Sequence, residues 1–198
     1  VSPDGSRVYV PLRTGRSVAV VDPAAGVVTR RIPVESNPQT VAVSADGARL
    51  FAANSGAGTL SVVDTTSGTV IHSVRIGPGT FGVAASRDGH YAYVSSNGRL
   101  TGVDTTSGTV AFVVRTGGVG RSVALSPDGA RAYVAVENAD SVAVVNLQRR
   151  RSADPIMGLP GPFGVAFTPD GLNAFVSQTR SNNIGVIEAQ ILVPQAES

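Results

Sequence analysis

The chain has 198 residues, 42% of them apolar, in short runs that nowhere approach the ~18 consecutive apolar residues of a membrane helix. It contains no cysteine, which excludes disulfide and thiolate chemistry and leaves the redox compartment undefined. Its net charge of +2, carried by 16 basic residues that are all Arg, is too small to point to nucleic acid or another polyanion.

The first element is a turn, Ser2-Pro3-Asp4-Gly5. Near-copies follow at 44–47, 86–89, 126–129 and 168–171, with starts separated by 42, 42, 40 and 42 residues. A second phrase keeps the same beat and ends at Asp22, Asp64, Asp104, Asn146 and Glu188. A fixed period of about 40 residues signals stacked copies of one supersecondary unit. The chain starts inside such a unit, without a basic or apolar leader, and reads as a piece of a longer array.

The second copy shows what the unit is. Thr40–Ser44 alternates and is rich in β-branched residues, Ala45-Asp46-Gly47 is a tight turn, and Arg49–Asn54 is a second strand. Leu60–Asp64 and Val70–Ile76 follow, separated by Thr65-Thr66-Ser67-Gly68. Short alternating segments between Gly, Asp, Asn and Pro predict antiparallel strands joined by hairpins. In Ser-Pro-Asp-Gly, Pro sets the first corner, Asp accepts local backbone hydrogen bonds and Gly takes the positive φ.

Four such strands, A to D from the inside outward, form a sheet that needs neighbours on both faces. The predicted fold is therefore an all-β β-propeller of four-stranded antiparallel blades. The copies divide into a partial blade 1 (1–36), blade 2 (37–78), blade 3 (79–118), blade 4 (119–160) and blade 5 (161–198), with Ile191-Leu192-Val193 as a candidate fourth strand of the last. About five blades are expected to belong to a larger, seven-bladed ring. In the fourth copy Arg149-Arg150-Arg151 replaces the Thr-Ser-Gly turn, and Asp154-Pro155 falls in its outer strand.

The second strand of each copy carries a resemblance. Tyr9-Val10-Pro11-Leu12, Phe51-Ala52-Ala53-Asn54, Tyr93-Val94-Ser95-Ser96, Tyr133-Val134-Ala135-Val136 and Phe175-Val176-Ser177-Gln178 resemble the Tyr-Val-Thr-Asn phrase of YVTN-repeat β-propellers. No copy spells all four letters, and only the second keeps the Asn. The resemblance implies a bacterial or archaeal, extracytoplasmic or surface-associated protein, a binding scaffold or a relative of seven-bladed lactonases.

The copies also act as an internal control. What stays the same in every blade serves the scaffold; what varies at one place is free to make specific contacts. The alternating Tyr and Phe at 9, 51, 93, 133 and 175 are expected to pack between blades. The repeated Asp of the A–B turns is hairpin chemistry, and neither His72 nor His90 is spaced as a metal ligand. The openings of strand A vary instead: Gln39, Phe81, Arg121 and Phe163. The B–C loops on that same rim carry Arg13, Asn54, Glu137 and Gln178, besides Asn97, Asn138 and Asn183.

Arg, Glu, amides and two Phe rings around a central concavity can bind a protein, glycan or small-molecule ligand. The expected function is a non-enzymatic recognition scaffold with no cofactor and no metal. The alternatives are a lactonase-like hydrolase, for which only Glu35 and Glu137 come from rim loops, and a sensor domain of a larger surface protein.

Overall fold

The computed structural model describes residues 1–189 and places them in seventeen β-strands and one short 3-10 turn. Blade 1 is β1 (Val8–Leu12), β2 (Ser17–Asp22) and β3 (Val27–Pro33). Blade 2 is β4 (Pro38–Val43), β5 (Arg49–Asn54), β6 (Thr59–Asp64) and β7 (Thr69–Arg75) in that spatial order. Neighbouring strands pair antiparallel, with Phe51 opposite Val62 and Ala42. Blade 5 shows β15 (Pro162–Phe167), β16 (Asn173–Gln178) and β17 (Asn183–Glu188). Its candidate fourth strand, Ile191-Leu192-Val193, lies outside the described residues.

Blades 3 and 4 depart from the expected separate sheets. They share seven strands: β8 (Val83–Ala85), β9 (Tyr91–Asp104), β10 (Thr109–Leu125), β11 (Arg131–Val136), β12 (Ser141–Asn146), β13 (Arg151–Ser152) and β14 (Ile156–Met157). The cause is local. β9 carries two expected strands through the two-residue Asn97-Gly98 corner, and the β10 ladder breaks register at Gly117-Gly118, with Gly117 at φ +84, and resumes where Val119 pairs with Asn97. The outer strand of blade 4 breaks into β13 and β14 around Ala153-Asp154-Pro155, since Pro has no N–H for the ladder. The 3-10 turn, Glu137–Ala139, follows β11.

Period-2 alternation lets each sheet feed two cores. Leu50 and Ala52 face blade 1 with Tyr9, Val18 and Ile32, while Phe51 and Ala53 face blade 3 with Val83, Val94 and Val103. Two further clusters join blade 3 to blade 4, around Leu100, Val134 and Val145, and blade 4 to blade 5, around Val142, Val165 and Val176. Four interfaces thus hold five blades, with Val, Ala and Leu at most of the buried apolar positions.

Four of the five register aromatics are buried between blades: Tyr9, Phe51, Tyr93 and Tyr133. Phe175 is 45% exposed, because its face of blade 5 meets no further sheet among the described residues. Burial of the Tyr93 ring raises its hydroxyl to about 12, as expected for a phenol in an apolar interface.

The D strands link each blade to the next. Arg30 reaches the Thr66 and Ser67 carbonyls, and His72 Nε2 lies 3.1 Å from the Thr106 carbonyl. His72 thus has a structural contact across the blade boundary.

Candidate functional site

Strand A is the innermost strand of each blade, and the strand A segments touch one another, β4 against β8 and β10 against β15. In a propeller this ring of inner strands lines the central channel. At its opening the ladder is irregular. Gln39 falls in the register break between Pro38 and Thr40, Arg121 between Gly120 and Ser122, and Phe163 between Pro162 and Val165. An extra residue in one strand is left unpaired and its side chain is re-aimed. The same irregularity in three blades turns three different side chains away from the sheet.

Phe81 precedes β8 and is held by reciprocal bonds to strand B. Phe81 N–H donates to the Ser95 carbonyl at 3.0 Å, and Ser95 N–H to the Gly82 carbonyl at 2.9 Å. The Ser95 hydroxyl also accepts the Gly82 N–H at 2.9 Å. Blade 5 repeats the device, with Gly164 N–H donating to Ser177 Oγ at 2.8 Å. Strand A carries Phe-Gly where strand B carries Ser, and Gln-Thr or Arg-Ser where strand B carries Ala53 or Ala135. Gly82 also permits a close approach: a Cβ there would stand 2.9 Å from the Arg121 carbonyl oxygen and from Ser122 Cα. Blades 3 and 4 meet backbone to backbone at this opening.

That approach assembles a cluster from three blades. The Arg121 guanidinium lies 4.8 Å from the Phe81 ring centroid and 6.0 Å from that of Phe163. The two rings, from blades that are not neighbours, meet edge to face at 5.8 Å and 85°. Arg121 Nε donates to Glu137 Oε2 at 2.5 Å. Both members of this pair are about a third exposed, so the charges are neither buried nor fully hydrated. Among the described residues the Arg121 Nη groups make no hydrogen bond, which leaves a planar, two-pronged donor beside two touching aromatic rings.

Of the rim residues expected from sequence, Phe81, Arg121, Phe163 and Glu137 come together. Arg13 and Gln39 form a second group one blade away. Arg13 Nε donates to Asn37 Oδ1 at 3.4 Å, Gln39 Nε2 donates to the same oxygen at 3.2 Å, and Gln39 also reaches Ser55 Oγ at 3.0 Å. Gln178 stands apart and accepts a bond from Ser181 at 2.9 Å.

Asn54 is fully buried, with Nδ2 donating to Ser61 at 2.8 Å and Thr59 at 3.2 Å. It belongs to the scaffold and not to the open rim, because β5 is still paired at that position. Asn138 Oδ1 accepts the Val119 N–H at 2.7 Å and ties the D–A crossover to the B–C turn. Glu35 is engaged by Thr59 at 2.9 Å and by Ser73.

Two residues that sequence reasoning missed support the cluster. Arg180, in the B–C loop of blade 5, bonds both Asp140 oxygens at 2.8 and 3.0 Å and the Glu137 carbonyl at 2.8 Å. Asp140, at φ +48, also accepts the Gly161 N–H at 2.8 Å. Arg180 therefore braces the turn that presents Glu137. The available signal was charge: the B–C loops of consecutive blades carry Asp140 and Arg180 at facing positions.

No family model matches the chain, and no curated protein matches it in sequence. Solved structures do. A chain of Kuenenia stuttgartiensis hydrazine synthase is 26% identical with a TM-score of 0.90, covering 96% of this chain and 62% of that one. The Myceliophteria thermophila Cps50 (Swd1) β-propeller domain is 14% identical with a TM-score of 0.84, covering 100% of this chain and 66% of that one. The chain thus spans less than two thirds of the length of either. Together with the radial stacking of small antiparallel sheets, these likenesses establish the β-propeller fold.

Proposed function

We propose that the chain is a non-enzymatic propeller scaffold that recognises a protein or ligand at the funnel opening, through Arg121 and the rings of Phe81 and Phe163. The observation that carries this reading is the guanidinium held against two rings from non-adjacent blades, with its Nη donors unpaired among the described residues. A planar donor with aromatic walls suits a carboxylate or carbonyl beside an apolar group. The four packed interfaces keep these side chains at fixed separations, which limits the ordering entropy lost on binding.

In this reading the chain is a YVTN-type repeat array spanning residues 1–198, part of a larger ring, and works outside the cytoplasm of a bacterium. The support is the Tyr or Phe, followed by Val in four of the five copies, in strand B together with the beat of about 42 residues. An array of short peptides pairing a carboxylate with an aromatic or branched side chain tests the site. The expected result is a set of binders that lose at least about tenfold in affinity with Arg121→Ala and with Phe163→Ala, at unchanged melting temperature. Binders indifferent to both substitutions would remove this opening as the recognition site.

A further inference from the structure

The C–D turn of blade 4 breaks the pattern kept by blades 1 to 3 in a way that changes charge and leaves geometry alone. In those blades an Asp closes the turn by accepting a backbone N–H three residues on. Asp22 takes it from Ala25 at 3.0 Å, Asp64 from Ser67 at 2.7 Å and Asp104 from Ser107 at 2.8 Å. In blade 4 Asn146 Oδ1 takes the Arg149 N–H at 2.7 Å. The acceptor is kept and the negative charge is gone. Three arginines follow where the other turns carry none.

One of them occupies an unfavourable position. Arg150 sits at φ +54, where the other blades have Gly26, Gly68 and Gly108 at +67 to +68. A residue with a Cβ is disfavoured there, and such strain persists only where the surroundings hold it. Here the Arg150 guanidinium lies 5.1 Å from the centroid of the Phe112 ring of blade 3.

Arg149 and Arg151 line a cavity of about 620 Å³ between blades 4 and 5, with Arg131 and Tyr133 on the same side and Asp154 and Glu188 also on its walls. Among the described residues the Arg149 and Arg151 guanidinium groups make no hydrogen bond or ion pair. The equivalent space in blade 1 retains Asp22 and has Arg30 where blade 4 has Asp154. Arg30 reaches across to the carbonyls of the next turn.

We infer that this cavity, on the rim opposite the funnel opening, binds a small phosphorylated polyol, of the sugar-phosphate class. The phosphate pairs with Arg149 and Arg151 in the forked geometry that guanidinium groups offer. The hydroxyls donate to Asp154 and Glu188, acceptors that a plain anion site would not contain. The volume falls within the range of small-molecule sites, ~300–1,000 Å³.

The test is calorimetric titration of the whole chain with glucose 6-phosphate, inorganic phosphate and glucose. Glucose 6-phosphate is expected to bind more tightly than phosphate, and glucose not to bind. The Arg149→Gln/Arg151→Gln double variant should weaken binding about tenfold or more. Asn146→Asp keeps the turn acceptor, and so the fold, and should weaken binding about threefold or more by restoring one negative charge. Arg87→Gln, at the equivalent rim of blade 3, should bind as the unaltered chain does. Absence of binding overturns the assignment. So does equal affinity for phosphate and glucose 6-phosphate, a double variant that binds undiminished, or an Arg87→Gln variant that loses as much.

Discussion

The two rims of the propeller carry charge in opposite ways. At the A–B turns five carboxylates do one job. Each accepts a Ser or Thr hydroxyl at 2.5–2.6 Å from two residues back and a backbone N–H at 3.0 Å from two residues on. Every partner lies within the same turn. At the funnel opening the Arg121 contacts reach residues 16, 40 and 42 positions away, Glu137, Phe81 and Phe163. Local satisfaction can be copied from blade to blade, since it asks nothing of the neighbours. A contact between blades needs different residues in each, so the repeat must be broken where it forms.

The largest effect that sharpens this contrast is expected at Gly82. Its backbone meets that of the next blade, and a Cβ would stand 2.8 Å from Ser95 Oγ and 2.9 Å from two backbone atoms of blade 4. Backbone cannot swing aside as a flexible side chain does. Gly82→Ala is therefore expected to lose about 1–3 kcal/mol in urea unfolding, the range for overpacked sites. It should also push Phe81 away from Arg121. Unchanged stability would mean that the blades can part at this opening without penalty, and that the rigid cluster is not rigid.

The difference between the rims also explains what could be read from sequence. The turns, the strand alternation and the sites of the inter-blade aromatics are short-range or periodic, and the five copies repeat them. Four residues of the cluster were identifiable because they vary where the beat holds. Their convergence was not, because it depends on irregular pairing at Arg121 and Phe163 and on the missing Cβ of Gly82. Asn54 shows the reverse case. It lies at the end of strand B, as a rim residue should, yet β5 stays in register to its last residue and turns the amide inward. The fusion of blades 3 and 4 was hidden too, since Gly117-Gly118 breaks the register and yet the ladder resumes just beyond it, with Val119 opposite Asn97.

A smaller effect is expected at the opposite rim, in acid. Hydrogen bonds from Ser2 and Ser6 hold the Asp4 carboxyl at about 2, below its ordinary 3.8. Asp46, Asp88, Asp128 and Asp170 are lowered for the same reason, first by the hydroxyl two residues back and then by the backbone N–H. A folded value below the unfolded one adds stability that is full above about pH 4 and is lost as pH falls through the folded value. Melting temperature should therefore decline between about pH 4 and pH 2, the interval these depressed carboxyls define. Asp128→Ala is expected to cost about 0.5–1.5 kcal/mol at neutral pH, one turn's hydrogen bonding, with Asp128→Asn costing less because an acceptor remains. A flat acid profile would show that these bonds form equally in the unfolded chain.

The smallest effect is expected where the cluster looks strongest. Arg121 and Glu137 make a short ion pair, but each is about a third exposed and water screens the attraction. A double-mutant cycle with Arg121→Ala and Glu137→Gln should return a coupling of about 1 kcal/mol or less in the free protein. The low value matters for recognition. A partner carboxylate can share or displace Glu137 only if the existing pair is weak, and Arg180 keeps the Glu137 backbone in place when the side chain moves. A coupling of about 3 kcal/mol or more would instead mark the pair as a clamp between strand A and the B–C turn of blade 4, in the range where breaking a desolvated pair is costly. The funnel opening would then resemble the turn rim after all, with its charges spent on the fold and none left to meet a ligand.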